Sequence, residues 1–142
     1  MKISARNVFR GAVTGVTAGA VNAEVELTLP GGDTLVAIVT EASIRALGLA
    51  VGKEAVAYVK APWVIVLTGA GEARFSARNQ FAGTVERLTR GAVNSEVGIR
   101  LPGDAVVFAV ITNEAVMELG LEEGVEATAL IKASHVILGT PA

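Results

Sequence analysis

Residues 19–31 read GAVNAEVELTLPG and carry the clearest structural signal in the chain. Between Val21 and Leu29, apolar residues alternate with polar ones, and this period of two is typical of a strand that buries one face. Pro30 and Gly31, which follow, are residue types that favour a turn. We therefore predict a half-buried strand that ends in a turn, in a chain built mainly of β-structure.

The same pattern occurs again at residues 91–103, which read GAVNSEVGIRLPG. Three further pairs of segments recur at the same offset of about 72 residues without a gap; they are SARN at 4–7 and 76–79, LGL at 47–49 and 119–121, and KA at 60–61 and 132–133. We predict two homologous modules, residues 1–68 and 74–140, joined by a small, glycine-containing linker at residues 69–73. Modules this short bury only about 60% of their unfolded surface, so each should gain stability by packing on its twin or on other subunits.

The remaining segments of the first module predict its architecture. Strand-like apolar patterns occupy residues 7–16, 34–40, 54–60 and 63–67. Residues 41–47 predict a short helix instead, because Thr40 can cap it and Gly48 can end it. A matching helix is predicted at residues 113–119, capped by Thr112. Five strands with one short helix are typical of the OB-type barrel, so we predict an all-β chain of two tandem five-stranded OB-type barrels, each with one short helix.

The composition argues against several classes of protein. The net charge is -2 and aromatic residues make up 4%, whereas nucleic-acid binders usually carry a basic excess and stacking aromatics. The chain has no cysteine, which excludes disulfides, thiolate ligands and cysteine nucleophiles. No apolar run approaches the ~18 residues of a membrane helix, and the first residues show no secretory signal. We therefore expect a cytoplasmic protein that binds neither nucleic acid nor membrane.

The sequence gives no support for an enzyme. It contains no GxSxG, Walker or GxGxxG pattern. The only histidine, His135, precedes an apolar segment and aligns with Trp63, so we interpret it as a structural or surface residue. Without a second histidine or a cysteine, a transition-metal cluster is not expected. The carboxylates, such as Glu24 and Glu26, are interpreted as solvated residues on strand faces. We expect no catalytic residue and no catalytic cofactor.

A set of polar groups that recurs in both modules remains. The side chains are Ser4, Arg6, Asn7, Thr40 and Lys60 in the first module and Ser76, Arg78, Asn79, Thr112 and Lys132 in the second. A turn adds backbone N–H groups at Ala20, Val21 and Asn22, and its copy adds those at Ala92, Val93 and Asn94. Guanidinium and ammonium groups supply charge, while hydroxyls and N–H groups supply fixed donors. The set predicts a site for a tetrahedral dianion, because it contains donors but no activated nucleophile.

Each member of this set also has a structural explanation. The serines, arginines and asparagines can join strands and satisfy backbone groups. The turn can be an ordinary hairpin, and Thr40 and Thr112 can be helix caps. A lysine at a strand end, such as Lys60 or Lys132, often serves solubility. The residue types alone do not decide between these structural roles and an anion site.

The order and spacing of SARN, GAVNxEV and KAPWV resemble the molbindin (Mop) module, and the resemblance covers nearly the whole chain twice. It implies OB-type barrels that bind molybdate or tungstate, in a tandem molbindin that stores or buffers molybdenum. It also implies a homotrimer in which anions lie at interfaces between modules, in more than one class of site.

The resemblance further implies which residues bind the anion. In one class the ligands map to Ser4, Arg6, Thr40, Lys60 and the backbone of Ala61, with Ser76, Arg78, Thr112, Lys132 and Ala133 as the second copy. Another class uses the backbone around Ala20, Val21 and Asn22, and around Ala92, Val93 and Asn94. The copies differ where Pro62-Trp63 becomes Ser134-His135. Whether the two modules build equivalent sites therefore stays open.

Two other functions also stay open at this point. One is a sensing module in which the anion is a signal passed to a partner protein. The other is an OB-fold nucleic-acid binder, which the charge and aromatic content disfavour. The sequence does not distinguish molybdate from tungstate, or storage from delivery.

Overall fold

The computed structural model describes residues 1–141 and shows, within that range, ten strands, two α-helices and two single-turn 3₁₀ helices. The strands of the first repeat are β1 (Asn7–Ala18), β2 (Asn22–Thr28), β3 (Thr34–Thr40), β4 (Glu54–Val59) and β5 (Ile65–Leu67). Those of the second repeat are β6 (Asn79–Arg90), β7 (Asn94–Arg100), β8 (Val106–Thr112), β9 (Glu126–Ile131) and β10 (Ile137–Gly139). The helices are α1 (Glu41–Leu47) and α2 (Asn113–Leu119), and the 3₁₀ turns are Ala61–Trp63 and Ala133–His135.

This architecture confirms the predicted all-β chain with two five-stranded units and one short helix in each. Both helices have the predicted caps. Thr40 accepts a hydrogen bond from the Ser43 amide at 3.1 Å, and Gly48 ends α1 with a left-handed φ of 63°. The structure differs at Trp63, the predicted start of the last strand of this repeat, because Trp63 ends a 3₁₀ turn (Ala61–Trp63) and the strand begins at Ile65.

The two sheets do not follow the boundary between the repeats. Their strand orders are β10-β4-β1-β2-β3 and β5-β9-β6-β7-β8, with antiparallel neighbours. The last strand of each repeat therefore completes the sheet of the other, with Ile65 opposite Leu130 and Ile137 opposite Tyr58. The 3₁₀ turn that follows β4 or β9 directs the chain out of its own sheet and across to its twin.

An approximate twofold axis relates the repeats. Gly31 and Gly103 are equivalent positions, and their backbones pass so close that a Cβ on Gly31 would lie 1.8 Å from the Gly103 carbonyl oxygen. Trp63 and His135 are also equivalent, and their ring centroids lie 5.1 Å apart. Contacts between equivalent residues arise at such an axis, so these two contacts mark where it passes.

The buried apolar residues form one cluster that includes both repeats. Leu27 and Leu35 from the first repeat and Ile99 and Ile131 from the second are all at most 1% exposed. A shared core, together with the exchanged strands, makes the stability of each repeat depend on the other. Within residues 1–141, no helix has the length and apolar character needed to span a membrane.

Replacing Gly31 with alanine should destabilise the protein by about 1–3 kcal/mol, because the new methyl group would collide with the backbone of Gly103 and force it to move. The measurement is chemical denaturation followed by circular dichroism. Gly15→Ala is the matched control, since a Cβ there would meet its nearest neighbour at 3.5 Å. If both variants have the same stability as the parent, the close contact at the axis is not a structural constraint.

Candidate functional site

The two predicted arginines lie at the contact between the repeats. Arg6 precedes β1, and its Nη2 lies 3.2 Å from Oε1 of Glu96 on β7. Its guanidinium carbon is also 3.5 Å from the centre of the Phe108 ring, a cation–π contact. Arg78, the equivalent residue, forms an ion pair with Glu24 on β2. Each arginine therefore pairs with a carboxylate of the other repeat.

These ion pairs revise the interpretation of Glu24 as only a solvated strand residue. The side chains of Arg6 and Glu96 are 44% and 30% exposed to solvent. Ion pairs this accessible contribute about 0–1 kcal/mol to the free energy of folding. A dianion can therefore compete with the carboxylate for the guanidinium. The signal available in the sequence was the repeated glutamate of GAVNxEV, at Glu24 and Glu96.

The predicted asparagines bridge the repeats. Asn7 is 1% exposed, and its amide donates to the Phe108 carbonyl at 2.8 Å and accepts from the Phe108 N–H at 2.7 Å. Asn79 is 2% exposed and makes the same two bonds, at the same distances, with Val36. The side-chain amide of Asn7 thus bonds to the free edge of β8, and that of Asn79 to the free edge of β3, as the backbone of a neighbouring strand would. These bonds support a structural role for both asparagines.

The predicted threonines are helix caps in the structure. Thr112 accepts from the Ala115 amide at 3.1 Å, as Thr40 does from Ser43. In the first repeat the Thr40 hydroxyl also lies 2.9 Å from the Ser43 hydroxyl, which places two hydroxyls side by side. The second repeat has Ala115 at that position. Ser43 was not among the predicted residues, although a serine in the first turn of a capped helix is visible in the sequence.

The predicted turns lie beside these caps. Asn22 pairs with Thr40 across β2 and β3, and the Val21 carbonyl accepts from the Glu41 amide at 2.8 Å. The copy places Asn94 opposite Thr112. Ala20, Val21, Ala92 and Val93 are all exposed, and their backbone N–H groups make no hydrogen bond within residues 1–141. Each turn therefore has two backbone N–H groups that no group in the described range accepts from.

The predicted lysines follow strands β4 and β9 and precede the 3₁₀ turns. Lys60 and Lys132 are exposed, and neither forms an ion pair in the part of the chain that the structure describes. Lys60 Nζ lies 5.9 Å from the centre of the Trp63 ring. Ala61 and Ala133 follow as the first residues of the turns, with buried side chains. The two ammonium groups are thus free to pair with an external anion.

One cavity brings two predicted ligands together. It measures about 250 Å³, and Ser76 and Lys132 both line it. Trp63, Ile65 and His135 complete much of its wall. Two of the predicted ligands therefore border one space that also has apolar and aromatic sides, as is common in sites for small ligands.

The structure does not gather the whole predicted set at one point. Among residues 1–141, no hydrogen bond joins Thr40 or Thr112 to the predicted serines, arginines or lysines. The turns lie against the helix caps, whereas Ser76 and Lys132 line one cavity with His135 of the second 3₁₀ turn. The same range contains no group of three or more His, Cys, Asp or Glu residues placed to hold a metal ion.

Comparison with known proteins gives a consistent family match. A model of the TOBE domain matches residues 3–66 and again residues 76–138. The chain is 48% identical over 141 residues to the molybdenum-pterin-binding protein MopA of Rhodobacter capsulatus. It is 44% identical over 138 residues to the molybdenum transport protein ModE of Azotobacter vinelandii. These matches cover 99% and 97% of this chain but 53% and 51% of the relatives, so the chain spans about half the length of the curated relatives it matches.

A solved structure matches the chain along its full length. It is a crystal structure of the cytoplasmic molybdate-binding protein ModG with molybdate bound, and its TM-score is 0.95 at 56% sequence identity. The match covers 99% of this chain and 100% of that chain. The arrangement of two repeats with a shared core is therefore similar in both proteins.

Proposed function

The chain belongs to the TOBE-domain family, of which it carries two copies, and from that premise we propose that it binds molybdate or tungstate without transforming it chemically. The observation that carries the proposal is the full-length similarity to a molybdate-bound ModG structure at 56% identity. The role that follows is storage, buffering or homeostasis of molybdenum in the cytoplasm. No catalytic cofactor is needed, because the bound oxyanion is the cargo.

The chemistry of the recurring donors supports this function. A tetrahedral dianion needs several charged or fixed donors around it. Lys60 and Lys132 are exposed cations without a carboxylate partner in the described chain. Arg6 and Arg78 are held by exposed carboxylates that an anion can displace. The serines and the backbone of Ala61 and Ala133 lie next to these cations in sequence, and hydroxyls and amides of this kind hold oxyanions without transferring a proton.

We further propose that the binding form is a homotrimer with anions at interfaces between modules. Two observations support assembly. The cavity that Ser76 and Lys132 line contains no other predicted donor from the described part of the chain, so a second chain can supply the donors that a dianion still needs. Val21 and Val93, in the turns that offer free N–H groups, are 71% and 72% exposed. Large apolar side chains beside unsatisfied donors are typical of a surface that another subunit covers.

On this proposal, the units of the sequence repeat are two modules joined by a linker. The modules are residues 1–68 and 74–140, and the linker is residues 69–73. The exchange of β5 and β10 between the sheets ties the two units into one body. A single rigid chain can then present both copies of the donor set at fixed positions in the assembly.

Titration calorimetry and native mass spectrometry test the proposed function together. We expect saturable binding of molybdate and of tungstate, and a mass of three chains that increases by whole bound anions. Sulfate, a tetrahedral dianion of smaller size, is the control for selectivity. If neither molybdate nor tungstate binds saturably, the proposed function is wrong; if binding occurs in a monomer, only the proposed assembly is wrong.

A further inference from the structure

His135 is the residue at which the second repeat departs from the first, where Trp63 is the equivalent. The two rings are in contact, with their centroids 5.1 Å apart and their planes tilted by 41°. The indole therefore supports one side of the imidazole and restricts its orientation. A histidine held in this way presents its ring nitrogens in fixed directions.

The ring nitrogens of His135 have no hydrogen-bond partner within residues 1–141. Nδ1 is buried and makes no hydrogen bond there, so no protein group in that range holds a proton on it. The imidazole also lines the cavity of about 250 Å³ that Ser76 and Lys132 share. The cavity is therefore lined by three residues with polar side chains, two of which the proposed function assigns to an oxyanion.

We propose that His135 is a third side-chain donor to the oxyanion held by Ser76 and Lys132, an inference that rests on the proposed function. A neutral imidazole carries one N–H donor and one acceptor nitrogen. Because no acceptor faces the buried Nδ1, the proton is better placed on Nε2. From Nε2 the ring donates to an oxygen of the anion in the cavity.

This donor makes the two copies of the site different. In the first repeat Lys60 lies 5.9 Å from the centre of the Trp63 ring, and an aromatic face attracts a cation but donates nothing to an anion. In the second repeat the cavity that Lys132 lines contains the Trp63 indole and, in addition, the imidazole of His135. We therefore expect the site of Ser76 and Lys132 to bind an oxyanion more tightly than the site of Ser4 and Lys60.

Nuclear magnetic resonance of the histidine ring tests the inference on the unaltered protein. His135 is the only histidine, so its ring ¹H and ¹⁵N signals need no assignment. We expect these signals to shift saturably as sodium molybdate is added to the labelled protein. Lys132→Ala should abolish the shift at the same anion concentrations, and Lys53→Ala, the matched control at an exposed lysine outside the donor set, should preserve it. Ring signals that stay unchanged while calorimetry shows filled sites would overturn the proposal.

His135→Phe provides a second test, because phenylalanine keeps a ring against Trp63 but removes both nitrogens. We expect the site of Ser76 and Lys132 to weaken at least about tenfold, the effect of losing one hydrogen bond to a charged group, while the other molybdate sites are unchanged. Unchanged affinity in every class overturns the proposal. If the unaltered protein binds no molybdate at all, the proposed function fails first, and this result is distinct from sites that fill without His135. If the variant does not fold, the ring signals of the unaltered protein decide the question.

Discussion

Replacing Lys60 with alanine is expected to weaken the binding of molybdate at the site of Ser4 and Lys60 at least about tenfold. A hydrogen bond to a charged group contributes ~1.5–3 kcal/mol, and 1.4 kcal/mol corresponds to a factor of ten in affinity. The ammonium group of Lys60 is exposed and has no carboxylate partner in the described chain. Its removal therefore takes away an interaction with the anion without leaving a buried charge unpaired.

Titration calorimetry with molybdate measures the effect, and denaturation shows whether the fold is retained. The stability should change by less than about 0.5 kcal/mol, as is usual for an exposed side chain. Lys53→Ala is the matched control, because Lys53 is an exposed lysine that lies just before β4, at the opposite end of that strand from Lys60. It removes the same charge from the same repeat but should leave every site intact.

The double variant Lys60→Ala, Lys132→Ala extends the test to both repeats. Each lysine belongs to its own copy of the donor set, so the double variant should weaken both copies of the lysine-dependent site. A stoichiometry and affinity equal to those of the unaltered protein would contradict the roles assigned to these lysines. An equal loss of molybdate affinity in the Lys53→Ala control would show instead that the affinity depends only on the net charge of the protein.

Local features of the fold followed from the sequence because their causes are local. The alternation from Val21 to Leu29 predicted β2, which spans Asn22–Thr28. Thr40 and Gly48 predicted both ends of α1, since a cap needs only a hydroxyl before the first turn and a residue that tolerates a left-handed φ after the last. These signals depend on neighbours within a few residues, which the repeated sequence shows directly.

The strand exchange could not be predicted, because the two possible partners have similar sequences. Residues 64–67 read VIVL and residues 136–139 read VILG, and each could pair with β4 or with β9. The choice depends on the path of the chain through the 3₁₀ turns and on the shared core. Neither is visible in the pattern of either repeat alone.

The candidate site was predictable in its residue types but not in its arrangement. The repeated arginines, lysines and threonines indicated a donor set, and Lys132 does share a cavity with Ser76. The pairing of Arg6 with Glu96 crosses the two repeats, so no spacing within one repeat could show it. Asn7 is buried, unlike the exposed donors around it. A repeated motif does not show which of its residues are buried.

Replacing Asn7 with alanine should cost about 2–4 kcal/mol of folding free energy. The variant leaves both the N–H and the carbonyl of Phe108 without their partner, and each such group costs about 1–3 kcal/mol when water does not replace the bond fully. For a chain of this length the melting temperature should fall by roughly 5–15 °C. Asn79→Ala should act in the same way through Val36, because the two contacts are equivalent.

Thermal and chemical denaturation measure this loss, with Asn22→Ala as the matched control. Asn22 also begins a strand, but it is exposed and its side chain makes no hydrogen bond within the described residues, so its replacement should change stability little. Molybdate titration of the Asn7 variant then separates the two roles considered for this residue. A bridge between repeats predicts lower stability with nearly unchanged affinity once the variant is folded, because the amide is already saturated by the strand. A direct ligand predicts the reverse, a weaker site at normal stability, and that result would return Asn7 and Asn79 to the anion-binding set.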